Sequence, residues 1–273
     1  MNLLLILDFY QKNGLYQSKY DYLDKFNRLM WFAGKSLDIE TIHDYCTIRT
    51  LQGVKNSTIN RELTLARSAI NYYNKHKKTT IYNPFNGFSL FEQDIIPRYL
   101  NHAECKKLLN ACSNYSNPIF FHYVNLLLNT GCRSSELLNL TWQNVNLDER
   151  YLVIRNNLSK NRKTLYKPLN YNAISSLKEL KNYNNYWVFY NHRTNNRYKT
   201  FRRAWLFATD KAKLNGLRIH DLRHTFASLL VKEGVPIYQV SILLGHSDTR
   251  ITQRYAHLSP NYLTNVVNLL DFR

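Results

Sequence analysis

A chain of 273 residues can fold as one large domain or two moderate ones, and its 44% apolar share supplies buried cores, which excludes a disordered tail. Its 37 Lys and Arg stand against 19 Asp and Glu, a formal charge of +18 spread over the whole length, so the expected partner is a polyanion bound in a salt-dependent way. The four cysteines, Cys46, Cys105, Cys112 and Cys132, form no CxxC pair and meet no histidine at metal spacing, which argues for reduced core thiols over a zinc site or a disulfide frame.

The apolar run from Leu3 to Leu7 is too short to span a bilayer and lacks a signal-peptide context, so it reads as the start of a core helix in a cytoplasmic protein with no membrane partner. Helical spacing follows at Tyr22, Leu23, Phe26, Leu29 and Met30, and again at Ile59, Leu63, Leu65, Ala66, Ile70 and Tyr73, with Ser57 or Thr58 as a cap. Residues 1–86 are therefore expected to be all-helical. The stretch NPFNGFSLFEQDIIP mixes prolines and a glycine with large apolar residues, which predicts a packed connector over 87–98 in place of a loose tether. The charge is +5 over residues 1–90 and +13 over 91–273, so both halves are basic, which fits a clamp closing on a polyanion such as DNA from two sides.

The second half, 99–273, is mixed. Helical periodicity over 104–111 and 120–128 leads to Thr130-Gly131, where glycine can end a helix, and then to a helix carrying Glu136, Leu137 and Leu138. Alternating segments at 151–155 and 164–169 predict two strands joined by the basic turn SKNRK. Helices resume from Phe201. The fold expected is mainly α with a small antiparallel β-sheet, in two domains.

Four segments then stand out: TGCRSSELLNLTW around Arg133, HDLRH opening at His220, LGHSD opening at Leu244, and RYAH opening at Arg254. Each alone is weak, but their joint appearance in this order is specific. The chain resembles the tyrosine recombinases of the phage-integrase family over nearly its full length. The resemblance implies a helical core-binding (SAM-like) domain, containing STINRELTLARSAINYYNK and NPF, followed by an α+β catalytic domain.

It also implies roles. A phosphodiester gaining a fifth oxygen needs its nonbridging oxygens held by donors, and a guanidinium, planar and always charged, does this best. By resemblance Arg133 and Arg223 are the two clamps. Tyr255, nine positions after His246, takes the nucleophile's place and would leave a 3′-phosphotyrosine; among 21 tyrosines its context TQRYAHL singles it out. His220 resembles the general base, and His246 a donor to a nonbridging oxygen. His224 and His257 flank these motifs and are as readily core histidines as site residues. In SKNRKTLYKPL, Lys160 takes the position of the general-acid lysine, with Pro168-Leu169 following; Asn161 stands where glycine is frequent and the basic residue before the proline is shifted, which keeps Lys163 as a rival. Glu136 resembles the carboxylate that braces the arginines, three positions after Arg133 on a shared helix face.

No carboxylate cluster suggests a two-metal nuclease, so the reaction is expected to need neither metal, cofactor nor ATP and to run in EDTA. The implied partners are double-stranded DNA at a specific recombination site and three further copies of the chain, a homotetramer on two duplexes passing through a Holliday junction, with accessory DNA-bending or directionality proteins. The tail SPNYLTNVVNLLDFR, with Leu263, Val266, Val267 and Leu270 on one stripe, is the element expected to swap between protomers. A mobile-element integrase leads the readings. That the sequence starts directly at the core-binding domain is expected to mean a simpler recombinase or a chain that begins late, and resolution of chromosome or plasmid dimers is the alternative. A type IB topoisomerase-like enzyme and a catalytically silent DNA-binding relative are the readings from other classes.

Overall fold

The computed structural model describes residues 3–13, 19–90, 97–155, 164–246, 248 and 250–258. The chain divides into two compact units, Met1–Ile95 and Ile96–Arg273. Among the described residues, no helix is long and apolar enough to cross a membrane.

The first unit is built from α1 (Leu3–Asn13), α2 (Lys19–Leu29), α3 (Ile39–Leu51) and α4 (Asn56–Lys77). The run from Leu3 does open a core helix: Leu3, Ile6 and Leu7 recur at helical spacing and are buried in a cluster with Leu63, Ala66 and Ile70 of α4. Neither Ser57 nor Thr58 caps α4. That helix starts at Asn56, with Lys55 in the cap position, two residues before Ser57, and the Lys55 side chain makes no capping bond. Inside the unit Glu62 accepts from Arg49 Nη2 at 2.7 Å, from Arg49 Nε at 3.1 Å and from the Tyr45 hydroxyl at 2.7 Å. Removing one partner of such a buried pair costs about 3–5 kcal/mol. The NPF segment packs within the first unit: Asn83 Nδ2 donates to Arg67 O and Asn71 Oδ1, Phe85 is fully buried, and Leu90 N donates to Asn60 Oδ1; residues 91–96 of the connector expected over 87–98 lie outside the described residues.

The second unit has α5 (His102–Ser113), α6 (Pro118–Thr130) and α7 (Ser134–Leu138), then strands β1 (Val145–Asn146), β2 (Tyr151–Arg155) and β3 (Thr164–Pro168), then α8 (Tyr171–Leu180). A two-stranded ribbon, β4 (Tyr190–Asn191) with β5 (Asn196–Arg197), precedes α9 (Arg202–Lys211), α10 (Asp221–Lys232), α11 (Ile237–Leu244) and α12 (Arg250–Gln253). The three-stranded sheet is antiparallel in the order β1-β2-β3, with Arg155 opposite Thr164 at the loop end of the β2-β3 hairpin. Its joining residues 156–163, which hold SKNRK, lie outside the described residues, as does the tail from Ser259. The large core gathers α5, α6, α8 and α9 with the sheet, and a smaller cluster joins Ala227 and Val231 of α10, Val240 and Leu244 of α11, and Tyr255.

Candidate active site

Two helices end in the same way, and each end delivers a residue singled out by the sequence. Helix α6 stops at Gly131, in the left-handed region at φ 58°, and Arg133 follows two residues on. Helix α11 stops at Gly245, φ 70°, with His246 next. Both positions also lack room: a Cβ on Gly131 would lie 2.4 Å from the Phe226 ring, and one on Gly245 would lie 2.4 Å from Leu165 Cδ2. Conformation favours glycine at both positions, and a side chain would also have to displace the Phe226 ring at Gly131 or the end of the Leu165 side chain at Gly245.

Helix α10 is anchored at its start by Asp221, which is buried and accepts from Arg218 N at 2.8 Å and from Arg218 Nη2 at 2.7 Å. That sets His220 at the helix entrance and Arg223 and His224 in its first turn. Arg223 is 4% exposed and donates through Nη1 to Gly131 O at 2.9 Å and through Nη2 to Leu244 O at 2.8 Å, so one guanidinium closes the ends of α6 and α11 together. Burial, then Arg133, pushes its pKa down to about 10, which leaves it charged at neutral pH. Arg133 is not within α7, contrary to the shared helix face expected for it and Glu136; it occupies the position before the helix. Glu136 still braces it, accepting from Arg133 Nη1 and from its backbone N–H, each at 2.7 Å.

The histidines differ in place and partner. His246 is half-buried, with Nδ1 2.8 Å from Thr252 Oγ1; burial, then Arg223 and Arg133, pushes it down to about 4. His220 lies at the surface, but its ring is partly desolvated, and that, then Arg223 and Arg133, lowers its pKa. His224, the residue the sequence left undecided, touches the phenol: its Nδ1 lies 2.5 Å from Tyr255 Oη. Four residues apart on α10, the His220 and His224 rings sit with centroids 5.0 Å apart and nearly perpendicular. No hydrogen bond joins His220 to Tyr255. Burial, then His220, pushes His224 down to about 4, so the ring is neutral at neutral pH; the shift weakens it as a base, and its contact with the phenol is what fits it to take the proton.

Tyr255 is 3% exposed, following α12 and packed with α10 and α11. Burial raises its pKa, opposed by Arg254 and then Arg223, so the charges of the site already bear on the phenol oxygen. One more cation was missed by sequence reasoning. Lys167 of β3 is 1% exposed, with Nζ 2.7 Å from Leu243 O and 3.1 Å from Thr130 O. Strand alternation carried the signal, since β3 is exposed at Thr164, Tyr166 and Pro168 and turns Lys167 inward. Lys160 and Lys163 lie outside the described residues. His257 is exposed. Among the described residues no group of three or more His, Cys, Asp or Glu side chains could hold a metal ion, and the four cysteines are free thiols.

The cap geometry can be checked directly. Gly245→Ala should lose about 1–2 kcal/mol from the left-handed backbone alone, with a further loss from Leu165. Thermal melts of Gly245→Ala, Leu165→Ala and the double variant should show Gly245→Ala costing less in the Leu165→Ala background than in wild type; no loss in Gly245→Ala itself would contradict the argument for this turn.

The phage integrase family model matches residues 98–261. The integrase of Salmonella phage P22 is 32% identical over 187 residues, 64% of this chain and 47% of that protein, and the integrase of Haemophilus phage HP1 is 32% identical over 214 residues, 78% and 59%. The chain thus spans about half to three fifths of those two phage proteins. Tyrosine recombinase XerC of Staphylococcus carnosus is 25% identical over 97% of this chain and 93% of its own length. Among solved structures, the Tn1549 transposon integrase (aa 82-397) in complex with a circular intermediate DNA superposes with TM-score 0.82 at 16% identity, covering 99% of this chain and 100% of that one. XerH recombinase bound to a palindromic substrate gives 0.73 at 18% identity, covering 98% and 94%. At those identities the likeness establishes the fold.

Proposed function

This chain belongs to the phage integrase family, and from that premise we propose that it is a site-specific DNA recombinase that cuts and rejoins strands through a 3′-phosphotyrosine at Tyr255. The observation that carries the reading is the neutral imidazole of His224 on the Tyr255 phenol, beside the pair Arg133 and Arg223. The Tyr255 oxygen forms a bond to phosphorus as the bond to the 5′-oxygen breaks. The phenol proton passes to His224 Nδ1, and the 5′-oxygen takes a proton from Lys160 or its rival Lys163. Arg133, Arg223 and His246 hold the charge that builds on the nonbridging oxygens. Religation runs the same transfers backwards, which conserves the bond energy and needs no ATP.

The substrate is double-stranded DNA at a recombination site, acted on by a homotetramer through a Holliday junction, with accessory bending or directionality proteins. Service to a mobile element is supported by the similarity to the phage integrases. Dimer resolution is the second reading, favoured by the nearly full-length match to a XerC. The decisive experiment incubates the protein with nicked suicide duplexes in EDTA. DNA flanking the gene should yield a covalent adduct if a mobile element is served, and chromosomal or plasmid sites if dimers are resolved. DNA bound without an adduct on either set would mean a silent DNA-binding relative.

The proton acceptor is separately testable. His224→Ala should slow adduct formation by about 10²–10⁴, the usual worth of a positioned base, and His220→Ala by less. Because His224 is held near 4, the wild-type rate at subsaturating DNA should persist as pH falls from 7 to 5 and be lost only as the ring protonates. The reverse order of the two variants would restore His220 as the base.

A further inference from the structure

Lys167 is a cation placed where a strand buried on one face would ordinarily carry an apolar residue, and among the described residues no Asp or Glu forms an ion pair with it. Burial lowers its pKa; Cys132 and then Glu136 favour its charge, Arg223 and Arg133 oppose it, and Glu136 is committed to Arg133. Burying an unpaired ammonium is costly, so its retention calls for a compensating role. Its partners are carbonyls at two helix C-termini, where the helix dipoles are negative and the last carbonyls lack intrahelical donors.

The arrangement repeats that of Arg223 one residue earlier along both segments. Lys167 takes Thr130 O and Leu243 O, while Arg223 takes Gly131 O and Leu244 O. Two cations, from β3 and from α10, thus fasten the same two chain ends. Just beyond them stand Arg133 and His246.

We infer that Lys167 is a positioning residue for DNA cleavage: it holds the ends of α6 and α11 so that Arg133, Arg223 and His246 converge on one phosphate. Its Nζ is buried and engaged by Thr130 O and Leu243 O, so its role is to hold the two chain ends. Its ammonium also adds to the positive field there, since it acts on His246 together with Arg223, Arg133 and Arg254. This inference rests on the phosphoryl-transfer reading above, and its test has one readout that does not.

Lys167→Met keeps the volume and removes the charge; Lys167→Gln keeps one donor without charge and serves if the first variant does not fold. Single-turnover adduct formation is measured on a nicked duplex whose scissile group is either a phosphate or a neutral methylphosphonate. The variant should be slower than wild type by about tenfold or more on the phosphate, the scale of a weakened oxyanion contact, and the gap should close on the methylphosphonate, which has less charge to hold. Equal rates on the phosphate, or the same gap on both substrates, would overturn the inference, the latter by reducing Lys167 to packing. If wild type forms no adduct on any duplex, it is the recombinase reading that fails. The His246 imidazole, followed by NMR titration without DNA, then decides: its pKa should rise in the variant, and an unmoved pKa overturns the placement of Lys167.

Discussion

Tyr255→Phe is expected to fold, to bind DNA as wild type does, and to form no covalent adduct. The ring remains among Ala227, Val231 and Leu244, so the packing that holds the chain end against α10 and α11 is kept. What goes is the hydroxyl, and with it the partner of His224 Nδ1. An unpaired buried group of this kind costs about 1–3 kcal/mol, so the melting temperature should fall modestly while cleavage vanishes. A further control lies in the sequence. Cleavage after Arg254 releases a peptide carrying both Tyr255 and Tyr262, so tandem mass spectrometry of the wild-type adduct must place the nucleotide on the first of them. An adduct that survives in the Phe variant, or that maps to Tyr262, would move the nucleophile elsewhere.

How much of this was legible in the sequence depends on whether the signal was local. The β2 and β3 segments and the end of α6 at Gly131 could be read because period-2 alternation and a helix-ending glycine are properties of a few adjacent residues. The strands β1, β4 and β5, two residues each, are too short to have a period. Arg133, Arg223, His246 and Tyr255 came from ordered motifs, and the fold sets them on neighbouring helix ends. The pairing of His224 with Tyr255 spans thirty-one positions and has no local signature beyond the four-residue spacing from His220. A histidine on a helix face is, by pattern alone, as well read as core. Lys167 is the opposite case: alternation along β3 pointed inward at a lysine, and that local conflict marked a functional position.

Arg223→Lys should be the most damaging substitution that keeps a positive charge. The guanidinium spans from Gly131 O to Leu244 O with two separate nitrogens, a reach that a single ammonium cannot reproduce. Lysine would satisfy one helix end and release the other, and it would lose the planar fork that binds two phosphate oxygens at once. Cleavage should therefore fall by about 10²–10³, as when one preorganised donor is removed from a developing oxyanion, while DNA affinity, set by many phosphate contacts, should change far less. Arg223→Ala is the less clean comparison, because it leaves both carbonyls unpaired and adds a folding loss of about 1–3 kcal/mol for each. Adduct formation and gel-shift affinity measured on the same nicked duplex separate these effects. Parallel loss of binding and cleavage would make Arg223 a structural strut, whereas loss of cleavage alone places it at the reacting phosphate.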